Sequence, residues 1–299
     1  MDTYHLPTAR SVFGMPVETF PQGIGEAFHD LMQRIPDGKH RGYYGLSHMD
    51  ASGKIFYFVS AEEKFSGEAE KYGLTRYTID AGDYLSVTVQ NWRDNTDCIK
   101  DVFRNMMQDP LADCTKPCVE WYKTDDEMLC LLQANPVKLL LAAIAEKAAE
   151  LLSLLMPLSE AQVNTVPFKG SWTAAQMARH VCKSNNAMAQ AMEMEGKSAA
   201  RDIAAKAGEL KETFLNYSIK FNSPSFIVPE EKAYKKDVLL ASLKKSNEVL
   251  TANAAKADVA VMIDLPAAFG EITKLELLHF VVYHTERHIH QLKNILKHL

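Results

Sequence analysis

Two histidines stand four residues apart near the end of the chain, in the run YHTERHIHQ at residues 283–291. If this run is helical, residues four apart face the same way one turn apart, so His284 and His288 can bind one ion. Gln291 falls on the same face, whereas His290 points away from it. Histidines four apart also arise by chance on solvated faces, so this pair alone does not establish a metal site.

A third histidine, His180, stands in the otherwise apolar segment MARHV. An isolated histidine at such a position is more often a core residue with a satisfied hydrogen bond. Beside His284 and His288, however, it would complete a set of three neutral imidazole donors that leaves coordination positions for water or substrate. Such an open set predicts one divalent metal ion and is more typical of a catalytic site than of a structural one. Zinc, nickel and iron all suit imidazole donors.

The elements that must position these residues change character near residue 135. Before that point, short segments of alternating hydrophobicity predict strands and two stretches with apolar residues three and four apart predict helices. A sheet with only two helices is typical of an α+β domain, in which the helices cover one face of an antiparallel sheet. The predicted strands are 54–60, 75–80, 83–90, 118–122 and 127–133, and the predicted helices are 24–35 and 97–108.

After residue 135 we expect helices and no strands. Asn135 followed by Pro136 is a typical helix start, and the motifs Thr-x-x-Gln at 173 and Thr-x-x-Glu at 273 fit capping boxes. A further helix is predicted at about 235–253, and a charged stretch at 198–217 predicts an extra helix inside a crossover connection. One long crossover makes the middle two helices of a bundle parallel. The predicted domains are 1–134 and 135–299.

The segments LSEAQVNTVPFKGSWTAAQMARHV and YHTERHIHQLKNI resemble DinB/YfiT-like proteins. In that family a tryptophan opens the second helix, a histidine follows in it, and the last helix carries His, three residues, His, two residues, Gln. The resemblance covers about 136–299 and implies an up-down-down-up four-helix bundle. It carries metal-ligand roles onto His180, His284 and His288 and places Trp172 and Gln291 near the site. The alternative role for Trp172 is bundle packing.

The segments IDAGDYLSVTVQ and CTKPCVEWYKTDDEMLCLL resemble GyrI-like effector-binding domains, which are attached to many bacterial transcription activators. The resemblance runs over roughly 1–134 and implies an aromatic-lined cleft in which a glutamate faces a cationic or polar small molecule. Strand alternation places Glu120 and Tyr122 on one face, so we expect both to bind ligand. The alternative is a strand with one solvated face. The usual helix-turn-helix of such regulators is missing from the sequence.

Composition and charge narrow the classes of function. Hydrophobic residues make up 47% and charged residues 24%, which is ordinary for a soluble protein, and neither a secretory signal nor a membrane span is evident, so we expect a cytoplasmic protein. Residues 1–134 carry 13 Lys+Arg against 21 Asp+Glu, and the remainder 20 against 17. An acidic first domain argues against direct nucleic-acid binding. The five scattered cysteines are expected to be reduced.

Together these features predict a metal-dependent protein that acts on a small molecule. The DinB family includes thiol transferases and proteins labelled hydrolases, so the resemblance implies one of these reactions, in detoxification or stress response. The alternative is a non-enzymatic sensor or scavenger whose first domain binds a small-molecule ligand. A third interpretation is an interaction protein with neither activity. The sequence leaves the metal, the substrate, the catalytic residues and a homo-oligomer open.

Overall fold

A computed structural model describes residues 1–265 and 269–299 of the chain. These residues form two compact units, 1–136 and 137–299. Within the described ranges, none of the helices has both the length and the apolar character that crossing a membrane requires. All five cysteines are free thiols.

The first unit is an eight-stranded antiparallel sheet with the strand order β1-β6-β8-β7-β3-β4-β2-β5. Alternating hydrophobicity predicted β4 to β8, and these five strands are confirmed, whereas β1, β2 and β3 were not predicted. The strands are β1 (Asp2–Leu6), β2 (Arg10–Pro16), β3 (Tyr43–Met49), β4 (Ile55–Glu62), β5 (Thr75–Ile79), β6 (Gly82–Gln90), β7 (Cys118–Tyr122) and β8 (Glu127–Gln133). The helices of this unit are α1 (Ile24–Arg34), α2 (Glu68–Lys71) and α3 (Thr96–Met107).

The two longer helices cover one face of this sheet, as expected for the α+β class. Leu31 of α1 packs against β2 and β4, and Phe103 of α3 packs against β6 and β8. The opposite face holds one apolar cluster that includes Leu6 and Ile79, which lie on the two edge strands. The sheet therefore curls, and its central strands β3 and β7 lie between the two helix-covered halves.

The second unit is built on four long helices. Two of them begin at the predicted capping boxes, because Thr173 accepts from the backbone of Gln176 and Thr273 from that of Glu276. The long helices are α4 (Pro136–Leu155), α6 (Ala174–Glu193), α8 (Lys236–Ala254) and α9 (Lys274–Leu296), and the short ones are α5 (Glu160–Asn164) and α7 (Ala207–Leu215).

The core of the bundle has two layers, and their membership gives the helix directions. One layer joins the end of α4 to the beginning of α6 and α8 and the end of α9. The other joins the beginning of α4 to the end of α6 and α8 and the beginning of α9. The middle helices α6 and α8 therefore run parallel, and Asn253 of α8 donates to the carbonyl of Ala189 near the end of α6. This is the expected up-down-down-up bundle.

For the second unit, the extra helix in the crossover is shorter than expected and the expected absence of strands was wrong. Of the helix predicted at 198–217, only α7 is present. In the residues before it, Arg201 pairs with the buried Glu276 at 2.6 Å, and the backbone amide of Lys206 donates to the same carboxylate. These contacts hold the segment before α7 in an irregular path. Strands are also present after residue 135, as a three-stranded sheet whose members are too short for a clear alternation: β9 (Lys197–Ser198), β10 (Val261–Leu265) and β11 (Gly270–Thr273).

Candidate metal centre

Three histidine side chains meet in the core of the bundle. Nε2 of His284 lies 3.2 Å from Nε2 of His180 and 3.1 Å from Nε2 of His288. All three residues are buried, and their ligand atoms lie within 4.8 Å of one another. A tetrahedral ion about 2.0–2.1 Å from each nitrogen would hold ligand nitrogens about 3.3 Å apart. The spacing of these atoms therefore suits a metal ion.

Helix geometry explains why residues so distant in the sequence converge. His284 and His288 lie one turn apart on α9, between apolar residues such as Val281 and Ile289 that face the bundle core. Helix α6 runs antiparallel to α9, and its core face presents His180 among buried alanines and valine. The three rings consequently point into the same space between the two helices.

Hydrogen bonds at the far side of two rings fix their tautomers. Nδ1 of His180 donates to the carbonyl oxygen of Ile227 at 3.0 Å, and Nδ1 of His288 donates to Oε1 of Gln291 at 2.9 Å. Each partner is an oxygen acceptor, so the ring hydrogen lies on Nδ1 and Nε2 carries a lone pair. Two of the three converging nitrogens are therefore acceptors held ready for a cation.

Electrostatics keeps these rings neutral. Burial lowers the pKa of all three histidines: it lowers that of His288 to about 3 and that of His284 well below its ordinary value. The neighbouring imidazoles and the charge of Arg287 lower the pKa values of His284 and His288 further. Among the described residues, no carboxylate contributes to these three shifts. The three rings are thus neutral imidazoles whose Nε2 atoms meet without a described protein anion beside them.

The structure also locates the other residues that the sequence placed near this site. The indole of Trp172 lies 5.1 Å from the ring of His180, centroid to centroid, and Gln291 holds His288 as described. Glu286, which lies between the two α9 histidines in the sequence, forms an ion pair with Lys147 at 2.7 Å and so faces α4. Phe214, which the sequence analysis did not single out, lies 6.3 Å from the His284 ring.

A second buried polar cluster lies in the first unit, around Glu120 on β7. The hydroxyl of Tyr57 donates to Oε2 of Glu120 at 2.5 Å, and the hydroxyl of Tyr122 donates to the same oxygen. Burial raises the pKa of Glu120, while the two phenol hydrogen bonds oppose that rise. Among the described residues, no lysine or arginine side chain forms an ion pair with it. Glu120 is thus a buried carboxyl group whose partners are neutral.

Aromatic rings surround this carboxyl group. Phe20 stacks on Tyr57 at 5.2 Å, while Phe28 and Trp92 contact Tyr122 at 5.2 and 4.8 Å between centroids. The structure thus brings the two predicted ligand residues, Glu120 and Tyr122, into one aromatic-lined cluster and adds Tyr57 to it.

Besides Tyr57, the sequence analysis missed Gly45 in this cluster. It pairs with Glu120 across β3 and β7, and a Cβ atom at this position would lie 1.9 Å from the Tyr57 hydroxyl. Only a glycine lets Tyr57 reach across β3 to Glu120. A glycine inside a strand is the signal that could have indicated such a close approach.

Comparison with known proteins decides the family. The model of the DinB superfamily matches residues 143–292, which is half of the chain. The chain belongs to the DinB superfamily. The matched region of this DinB superfamily protein contains all three histidines of the cluster together with Trp172 and Gln291.

Solved structures resemble the protein only distantly. YfiT from Bacillus subtilis, described as a probable metal-dependent hydrolase with an unusual four-helix bundle topology, is 16% identical, with 54% of this chain and 86% of that chain covered and a TM-score of 0.37. An integron cassette protein from the mobile metagenome of Vibrio cholerae is 15% identical, with 45% and 95% covered and a TM-score of 0.35. No curated protein matches this DinB superfamily chain.

Proposed function

We propose that this DinB superfamily protein is a metal-dependent transferase that adds a thiol to a small electrophile. One observation supports it most: three buried imidazoles direct their Nε2 atoms into a common space, and among the described residues no carboxylate acts on their pKa values. One divalent ion, zinc, nickel or iron, held by His180, His284 and His288 would complete this arrangement. Such an ion supplies a Lewis acid that lowers the pKa of a coordinated thiol or water.

The charge around the site favours a thiol over water as the nucleophile. The three imidazoles are neutral, and the charged side chains that lower their pKa values are the cations Arg287 and Lys183. The site therefore favours a substrate atom that readily becomes an anion. A thiol starts from a free pKa of about 8.5 and ionises near neutral pH with little help, whereas water, at about 15.7, depends on the ion for its ionisation. Hydrolysis is the weaker alternative.

The chain's own residues would bind and orient the reactants. Gln291 and the Ile227 carbonyl hold two rings in the tautomer that leaves Nε2 free, and Trp172 and Phe214 provide apolar walls near the histidines. In the reaction, a bond forms between sulfur and an electrophilic carbon, and the bond from that carbon to its leaving group breaks. The thiol proton passes to solvent, so no oxidant or reductant is needed.

The experiment is an activity comparison on protein purified without a histidine tag. Elemental analysis should find about one divalent ion per chain. With 2-mercaptoethanol and 1-chloro-2,4-dinitrobenzene, the metal-bound protein should form the conjugate faster than metal-stripped or His284→Ala protein. Hydrolysis of 4-nitrophenyl acetate without conjugation would instead indicate a hydrolase. Bound metal with neither reaction would indicate a non-enzymatic sensor or scavenger.

We also propose that the first unit binds an aromatic cation at Glu120. The observation that favours this function is a buried carboxyl group whose hydrogen-bond partners are the two phenols of Tyr57 and Tyr122. A cation entering among these rings would gain both the carboxylate charge and the ring quadrupoles. A cation-binding unit joined to a thiol transferase suits a role in detoxification or stress response.

Thermal unfolding of the full chain tests this binding. Tetraphenylphosphonium at a hundred times its dissociation constant should stabilise the protein by about 2.7 kcal/mol. Glu120→Gln should abolish this response, whereas Glu26→Gln, at an exposed position on α1, should not change it. An equal response of Glu120→Gln and the unaltered protein would contradict the proposed site.

A further inference from the structure

The segment at residues 214–228, called the cover segment below, crosses the histidine cluster from α9 to α6. At its first end, the guanidinium of Arg287 donates to the carbonyls of Phe214, Asn216 and Ile219, at 3.1 and 3.0 Å for the first two. At its other end, its carbonyls accept from His180 at 3.0 Å and from Lys183 at 2.7 Å. Polar contacts thus hold both ends next to metal-ligand positions.

The middle of the cover segment is held differently. Within the described part of the chain, no hydrogen bond joins residues 220–226 to α6 or α9. Ring contacts are present instead: Phe221 stacks on Phe214 at 5.3 Å, and the Arg287 guanidinium lies 4.7 Å from the Phe221 ring centroid. Between the two polar anchors, the ring of Phe221 therefore joins the cover segment to Phe214 and to Arg287 of α9.

An aromatic path leads along this segment from the surface to the histidines. Phe221 is 45% exposed and packs on Phe214, which in turn lies 6.3 Å from the His284 ring. Phe226, next to the Ile227 carbonyl that holds His180, is 61% exposed. Exposed apolar side chains on a segment that contacts the histidines are candidates for ligand binding. The other exposed large apolar residues of the segment are Tyr217, Ile219 and Val228.

We propose that the thiol taken by this site carries a flat apolar group, and that Phe214, Phe221 and Phe226 bind that group. The inference rests on the proposed thiol transferase function and specifies its substrate class. A sulfur atom bound to an ion at the three Nε2 atoms would lie within reach of Phe214, whose ring centroid is 6.3 Å from that of His284. A purely polar substituent would leave the aromatic rings of the cover segment in water, whereas an aromatic one would remove them from it.

The test uses the full chain loaded with cobalt(II), whose visible spectrum reports ligand binding independently of activity. The probes are ethanethiol and 2-phenylethanethiol, which differ by one phenyl group. The phenyl-bearing thiol should bind about tenfold more tightly, as expected when part of a ring is buried. In the double variant Phe221→Ala/Phe226→Ala this preference should fall to about twofold or less, with unchanged ethanethiol affinity and cobalt content.

Two further variants keep the result interpretable. Phe56→Ala removes a ring of similar exposure in the first unit, 41% against 45% for Phe221, and should leave the preference unchanged. Phe221→Leu/Phe226→Leu keeps apolar volume without the rings and should retain an intermediate preference even if the alanine pair fails to fold. Equal affinity for both thiols overturns this inference and leaves the metal site standing. A cobalt spectrum that responds to neither thiol overturns the thiol transferase proposal as well.

Discussion

The two units of the molecule each bury a polar cluster, and the clusters differ in how they are satisfied. In the bundle, three neutral imidazoles direct their Nε2 atoms at one another, with that of His284 3.2 and 3.1 Å from the other two. In the sheet, Glu120 already accepts from two phenols. Because unpaired buried polar groups are costly, we expect a cation to complete the first cluster, whereas any ligand of the second would compete with existing hydrogen bonds.

The largest effect is expected from a substitution that removes one of the three histidines. Removing one of three ligands in His284→Ala should abolish stoichiometric metal binding, measured by elemental analysis. In the unaltered protein, a metal ion at a hundred times its dissociation constant should add about 2.7 kcal/mol to the free energy of unfolding, and the variant should lose this gain. His298→Ala changes an exposed histidine just beyond α9 and should behave as the unaltered protein. Metal retention by His284→Ala would contradict the assignment of ligands.

A smaller effect is expected from the hydrogen bond that orients His288. Gln291→Leu removes the acceptor of the Nδ1 hydrogen, so the ring can rotate or change tautomer. Loss of such a partner typically weakens metal binding 10- to 100-fold. Competition with a metal-binding dye measures this change, and Gln291→Glu, which keeps an oxygen acceptor, should bind more tightly than Gln291→Leu. Identical affinity in all three proteins would show that the contact does not orient the ligand.

In the sheet cluster, Gly45→Ala should destabilise the protein by about 2 kcal/mol, the usual size of an overpacking effect. The added Cβ would clash with the Tyr57 hydroxyl, so the loss should be smaller when that hydroxyl is removed. A double-mutant cycle with Tyr57→Phe, followed by urea unfolding, measures this coupling. Gly25→Ala lies in α1 with open space around its Cβ and should be stabilising or neutral. Additive losses for Gly45→Ala and Tyr57→Phe would contradict the proposed contact.

The smallest expected effect is the contribution of Glu120 to the pH dependence of the free energy of unfolding. Burial raises its pKa in the folded protein above the unfolded value of about 4.3. Between these two pKa values the folded state binds more protons, so the contribution of Glu120 to stability should fall as the pH rises. On acidification, the unaltered protein should therefore gain free energy of unfolding relative to Glu120→Gln. A relative loss of unfolding free energy on acidification would mean that the folded protein stabilises the ionised carboxylate of Glu120.

Sequence patterns predicted most of the fold because the long elements have strong periodicity. Strands β4 to β8 alternate clearly, and capping motifs mark the starts of α6 and α9. Strand β3 was missed because Gly45 interrupts its pattern, and that same glycine is needed for the Tyr57–Glu120 contact. Strands β9 to β11 were missed because they span two to five residues.

For the candidate sites, helical spacing and family resemblance identified the histidines, Trp172 and Gln291, and strand alternation paired Glu120 with Tyr122. The remaining neighbours depend on tertiary structure that no local pattern encodes. Tyr57 reaches Glu120 through the register of three strands, and the carbonyl of Ile227 approaches His180 only because the chain crosses from α9 to α6 after α7. Side-chain identity gives no signal for a backbone acceptor.

Arg287 and His288 are neighbours in the same turn of α9, and Lys183 lies three residues after His180 on α6. The anchors of the cover segment therefore share their helical turns with two of the candidate ligands. A shift or rotation of either helix that spreads the three nitrogens apart would therefore also move one end of the cover segment. We therefore expect ion binding to hold the cover segment more firmly, so that proteases cleave residues 214–228 faster in the ion-free protein than in the ion-bound protein.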